Sequence, residues 1–261
     1  MFNLQLPLNY IKHFISAKTR HGVHSPFVYR LVDEIVYNNA AKTSYIPIER
    51  LRQQLLSDNR TISITDLGAG SHLNNNKKKQ VKSLAKNALK SAKLAQLIYR
   101  LAEDFKPVNI IELGTCLGLT TSYLAKAAPK AKVISIEGCP ETAAVATENL
   151  KKLNITNVEL KVGNFDQLLP EVINTESELD FVFIDGNHRK DATLNYFEWC
   201  LPKLSNKSIV IFDDIYWSKG MKEAWNIVKE HPKVTVTIDL FWIGLVFIKP
   251  DQVKEHFKIK F

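Results

Sequence analysis

The sequence predicts an α/β fold: a doubly wound, mainly parallel sheet closed by a C-terminal antiparallel hairpin, with an N-terminal helical cap. Three observations predict it. From Val108 onward, apolar runs of strand length alternate with amphipathic stretches of helix length. Short links between such elements require right-handed crossovers onto a parallel sheet. The last two apolar runs, 234–240 and 244–248, have almost nothing between them, which permits only a tight antiparallel turn. Residues 1–105, by contrast, show helical stripes and most of the positive charge.

Taken in order, Leu8, Ile11, Phe14 and Ile15 make a short apolar stripe, suited either to a dimer contact or to ordinary core. Ser25-Pro26 reads as a helix cap followed by proline at the first helical position. Phe27, Val28, Leu31, Val32, Ile35 and Val36 then share one face, and Ile48, Leu51 and Leu55 form another stripe. The biased run Asn74–Lys79 reads as a loop, and residues 82–104 as one long amphipathic helix. Strands are expected at 108–113, 132–137, 157–162, 180–185 and 208–213, and helices at 118–128, 140–153, 165–173, 189–204 and 219–230. These patterns divide the chain into a basic, mainly helical cap at 1–80 and a catalytic domain at 81–261.

The 261 residues, 45% hydrophobic and 24% charged, are those of an ordinary globular protein. No apolar run approaches the roughly 20 residues of a membrane span, so no membrane partner is expected. Lys12, His13, Lys18 and Arg20 interrupt the N-terminus, which does not read as a signal peptide. Three cysteines without metal-ligand spacing fit free thiols in a reducing cytoplasm. The net charge of +8 is uneven: residues 1–105 hold 16 Lys and Arg against 7 Asp and Glu, and the rest hold 19 against 20. A basic segment of this kind suits an anionic substrate or nucleic acid, or is simply a solvated surface.

The stretch Ile110-Ile-Glu-Leu-Gly-Thr-Cys-Leu-Gly118 runs a strand into an acid and a glycine turn, and a helix follows. Glycine permits a sharp turn and close approach to a ligand. The spacing is not that of a pyrophosphate cradle, which sets a nicotinamide-dependent dehydrogenase aside, and the acid before the glycines favours a cationic ligand such as S-adenosylmethionine. Ligands of open α/β sheets bind beyond the carboxyl ends of the strands. Those ends read Glu112, Glu137, Gly163-Asn164-Phe165, Asp185-Gly186 and Asp213-Asp214. A lone acid of this kind often just caps the next helix. Five consecutive polar strand ends point to a small-molecule site. The stretch Thr61–Ser71, with glycines at 68 and 70, mimics the glycine motif but lacks a following strand that ends in an acid, and reads as a turn in the cap.

The ordered series resembles the class I S-adenosylmethionine-dependent methyltransferases, with their Rossmann-like fold, and is most similar to the small-molecule O-methyltransferase branch that includes catechol and caffeoyl-CoA O-methyltransferases. The resemblance covers about residues 85–249. It implies that Gly114 and Gly118 line the methionine part of the cofactor, Glu112 anchors its amino end, Glu137 binds the ribose, and Gly163, Asn164 and Phe165 flank the adenine, with Asp185 also at the cofactor site. It implies a catalytic set of Asp185, His188 and Asp213, and a divalent-cation site, Mg²⁺ being an option, made by Asp185, Asp213 and Asp214. Asp214 stands where the catechol enzymes have Asn. His188, three residues after Asp185, stands where they carry a catalytic lysine; an imidazole titrates near neutrality and suits a general base, or else only orders its loop. His21 and His24 are candidate substrate ligands, and Tyr216-Trp217 a candidate acceptor wall. The expected reaction is O-methylation of a small hydroxylated acceptor. The alternatives are an RNA or DNA methyltransferase that uses the basic N-terminal segment, and a degenerate cofactor-binding fold.

Overall fold

The computed structural model describes residues 5–65 and 77–261. The helices and strands are, in chain order, α1 (Gln5–Ser16), α2 (Pro26–Arg30), α3 (Tyr45–Ser57), β1 (Thr61–Ile64), β2 (Lys77–Gln80), α4 (Val81–Ala88), α5 (Ala92–Phe105), β3 (Asn109–Leu113), α6 (Leu119–Ala127), β4 (Lys132–Glu137), α7 (Pro140–Lys152), β5 (Val158–Val162), α8 (Phe165–Thr175), β6 (Phe181–Ile184), α9 (Lys190–Cys200), β7 (Ile209–Asp213), α10 (Lys219–Glu230), β8 (Val236–Asp239), β9 (Ile243–Phe247) and β10 (Glu255–Lys258). The class is α/β and Rossmann-like, as expected. The chain forms two compact units, one of residues up to Asn39 with Glu178–Phe261, the other of Ala40–Ser177.

In the unit of Ala40–Ser177, β3, β4 and β5 run parallel, with Ile110 opposite Val133 and Ile134 opposite Glu159. Their carboxyl ends therefore lie along one edge. The strands β3 and β4 are apolar and buried because helices cover them. A core of Tyr45, Ile48, Leu51, Leu55, Leu119 and Tyr123, among others, packs α3 against the α5–α6 pair. The expected single helix over 82–104 is two. Ser91 breaks it: its hydroxyl accepts from the Leu94 N–H at 3.3 Å and starts α5 anew. Lys77–Lys79, expected as loop, pair as part of β2 antiparallel to β1, and Asn74–Asn76 and the glycines near 70 lie outside the described residues.

In the other unit the strand order is β10-β8-β9-β7-β6. The parallel pair β6–β7 carries the remaining strand-end acids. The C-terminal hairpin is antiparallel as expected, with Ile238 opposite Leu245, and β9 also pairs antiparallel with β7. The sequence gives no warning of β10, which adds parallel to β8. Ser25 caps α2, its hydroxyl accepting from Val28 N–H at 3.4 Å. The helix continues as a wider turn over Leu31–Val36, closed by Tyr37 N–H donating to Val32 C=O, and buries Val28, Leu31, Val32 and Val36. No helix among the described residues is long and apolar enough to cross a membrane.

Candidate active site

The glycine turn after β3 is built on three residues with positive φ: Gly114 at +98°, Cys116 at +51° and Gly118 at +76°. Gly118 starts α6, and a Cβ there would lie 3.1 Å from the Ala146 Cβ of α7. Glycine is required by both the conformation and that close approach. Asn149 reinforces the turn, donating from Nδ2 to the Leu117 carbonyl at 2.9 Å. Glu112 points into the interior and is fully buried; its Oε2 accepts from Thr121 Oγ1 at 2.5 Å and Ser135 Oγ at 2.6 Å. These bonds tie β3 to α6 and β4.

Glu137, half-buried at the end of β4, accepts two backbone N–H groups: Cys116 at 2.8 Å on Oε2 and Cys139 at 2.9 Å on Oε1. Its carboxylate therefore clamps the glycine turn to the start of α7. After β5, Gly163 sits at φ +155° and donates to the Glu137 carbonyl at 2.9 Å. Asn164 caps α8, its Oδ1 accepting from Asp166 N–H at 2.9 Å, and Phe165 opens that helix half-buried. All the residues expected to hold the cofactor other than Asp185 thus lie at or near the carboxyl ends of three neighbouring strands, or in Glu112's case one step inside.

In the other unit Asp185 follows β6, and Asp213 ends the neighbouring β7. The chain after Asp185 turns back through Asn187 (φ +66°) and His188 (φ +38°), anchored by Asn187 Nδ2 donating to Tyr196 Oη at 2.7 Å. That turn brings His188 Nε2 to 3.8 Å from Asp185 Oδ1. One ligand-type atom each from Asp185, His188 and Asp213 falls within 4.8 Å of the others. Asp213 is buried and the other two are half-exposed. Two carboxylates and an imidazole this close are a donor set that a divalent cation fits. Asp214, with φ +53°, is outside that group; its N–H donates to the Trp242 carbonyl at 2.8 Å.

The flanking candidates divide. Tyr216 turns inward, donating from Oη to Asp239 Oδ2 at 2.7 Å and stacking on Phe241 with ring centroids 4.9 Å apart, whereas Trp217 is exposed. His21 and His24 are exposed on and after the turn Arg20–Gly22. A buried network escaped the sequence reading: Asp239, held also by His13 Nε2 at 3.0 Å and the Phe241 N–H at 2.9 Å. Its only signal is a histidine set among the apolar residues of α1, with its partner 226 positions away.

Residues 111–215 match a family described as a methyltransferase domain. A catechol O-methyltransferase of Niastella koreensis is 31% identical over 118 residues, 44% of this chain and 52% of that protein. One of Mycobacterium tuberculosis is 28% identical over 161 residues, 56% of this chain and 71% of that protein. The chain thus spans about half the length of the first of these relatives and more of the second. Among solved structures, an O-methyltransferase from Bacillus cereus in complex with S-adenosylhomocysteine aligns with a TM-score of 0.56 at 19% identity, over 83% of this chain and 96% of that one. Residues 111–215 thus match a methyltransferase domain, and the chain shares its fold with a solved O-methyltransferase.

Proposed function

We propose that this chain methylates a hydroxyl of a small acceptor with S-adenosylmethionine as donor. The observation that carries the reading is the convergence of Asp185, His188 and Asp213 within 4.8 Å, after strands whose neighbours in sequence carry the methyltransferase motif. When bound, the donor supplies a methyl group on a sulfonium, and a divalent cation supplies a Lewis acid that lowers the pKa of an acceptor hydroxyl.

The chain's residues then have separate tasks. Gly114 and Gly118 leave room for the methionine part, Glu137 accepts from the ribose hydroxyls, and Gly163, Asn164 and Phe165 flank the adenine. Glu112, bound by Thr121 and Ser135, keeps the turn at the amino end rigid. Asp185 and Asp213 would hold the cation, with Asp214 supporting it. His188, left off the cation, removes the acceptor proton at Nε2. In-line transfer depends on positioning, so rigid strand ends suit it. We take residues 81–261 as the catalytic domain and the basic residues 1–80 as favouring an anionic acceptor. The catechol O-methyltransferases among the relatives support a small hydroxylated acceptor over nucleic acid. Cys116, Cys139 and Cys200 are in no disulfide, which agrees with a cytoplasmic setting.

The test is turnover of a panel of small phenols and other hydroxylated acceptors with labelled donor. His188→Ala should lower kcat about 10²–10⁴-fold while leaving donor affinity unchanged. Full turnover by this variant would return His188 to a loop-ordering role. Activity that survives exhaustive chelation would remove the cation from the scheme and leave the base.

A further inference from the structure

We infer that the outward face of α1, with Trp242 beside it, docks on an anionic lipid surface. A surface helix ordinarily buries its apolar side and exposes its polar one. Helix α1 instead leaves its apolar side in solvent. Among its described side chains only His13 is buried, while Leu8 is 56%, Ile11 54%, Phe14 51% and Ile15 77% exposed. Leu8, Ile11 and Ile15 follow the spacing of one helical face. Tyr10 bridges this face to the exposed Trp242, their rings 6.2 Å apart. The orientation is held from the other side, where His13 reaches Asp239 at 3.0 Å and meets the ring of Phe241 at 5.5 Å. An apolar patch fixed outward in this way marks an interaction site.

Charge selects the occupant. Lys12 follows Ile11 on the exposed helix, and Lys260 sits 4.5 Å above the ring of Phe14. Lys18 and Lys258 are brought alongside by the backbone bonds that join Lys18 to the C-terminal strand, Lys18 N–H to Lys258 C=O at 2.8 Å and Lys260 N–H to Lys18 C=O at 3.0 Å. The first acidic residue of the chain is Asp33, and none follows Glu255. An aliphatic centre with Tyr and Trp at its edge and lysines around it matches a bilayer interface, where acyl chains, headgroups and anionic phosphates meet those groups in turn. At 12 residues the helix is about 18 Å long, too short to span and suited to lie flat. A second copy fits less well, because a two-fold interface would set this patch and its lysines against themselves.

The experiment is sedimentation of the full chain with vesicles of phosphatidylcholine alone, and of phosphatidylcholine and phosphatidylglycerol in equal parts. The full chain is expected to pellet with the anionic vesicles, less so as salt is raised, and to stay in solution with the neutral ones. Ile11→Glu/Ile15→Glu, both at exposed positions and so expected to keep the wild-type circular dichroism, should weaken vesicle partition about tenfold or more. Trp242 fluorescence should shift to the blue on anionic vesicles, a shift missing in Trp242→Phe. Absence of the full chain from the anionic pellet overturns the inference, as does unchanged pelleting of the double variant. A dimer in sedimentation velocity that the double variant dissolves also overturns it and assigns the face to a second copy.

Discussion

Asp239 carries an ionised group in a nearly dry place, 2% exposed. Burial alone would push its pKa up, but hydrogen bonds from His13 and Tyr216 outweigh burial and hold the carboxyl below its ordinary value. Burial, together with the Asp239 charge, pushes the Tyr216 hydroxyl well up, so it remains a donor. The sign follows. A carboxyl whose folded pKa is depressed adds stability above its unfolded value, and that stability drains as pH falls through the folded one. Asp239→Asn should therefore cost about 3 kcal/mol near neutrality, and urea unfolding below pH about 4 should show a shallower loss with acid than wild type. Parallel curves for the two proteins would contradict the buried-carboxylate account. At this scale the strand-end groups were legible: Glu137, Asp185 and Asp213 each end an apolar run, and position alone nominates them. The role of Asp239 was not legible. It sits inside an apolar run, and its partner His13 is distant in sequence, so only the fold brings them together. His188 is intermediate: its place after Asp185 was readable, while the positive-φ turn that aims it at the acids was not.

At the scale of elements, the strands that sequence located best are those buried on both faces. The apolar run 132–137 coincides with β4, and 208–213 lies within one residue of β7, because continuous burial demands continuous hydrophobicity. Strand β10 shows the converse. Only Phe257 of Glu255–Lys258 is buried, so pairing with β8, not side-chain pattern, makes it a strand. The α4–α5 break was hidden for a similar reason, since the apolar stripe runs on through Leu89 while Ser91 resets the backbone. Packing between elements yields its own prediction. Gly244 of β9 lies under Trp225 of α10, and a Cβ there would fall 2.6 Å from the indole. Trp225 is 2% exposed and has no room to retreat. Gly244→Ala should destabilise by about 1–3 kcal/mol, read as a fall of roughly 2–4 °C in Tm per kcal/mol. An unchanged Tm would mean that α10 rides less tightly on the sheet than these distances describe.

For the whole molecule, the sequence foresaw the fold class, the terminal hairpin and the order of motifs, and the methyltransferase-domain match over residues 111–215 agrees with it. Charge was legible as an imbalance, but its arrangement was not: the lysines beside α1 come from both ends of the chain, and strand pairing gathers them. The proposed methyl transfer depends first on donor binding by the glycine turn and Glu137. Calorimetric titration of the full chain with S-adenosylmethionine, with and without Mg²⁺ and alongside Glu137→Ala, tests it most directly. Wild type should bind with a Kd on the order of micromolar, about −8 kcal/mol. Glu137→Ala should bind at least about tenfold more weakly, because a charged acceptor of two backbone N–H groups is lost along with the proposed ribose contact. A folded wild-type protein that takes up no S-adenosylmethionine in either condition would contradict the central claim.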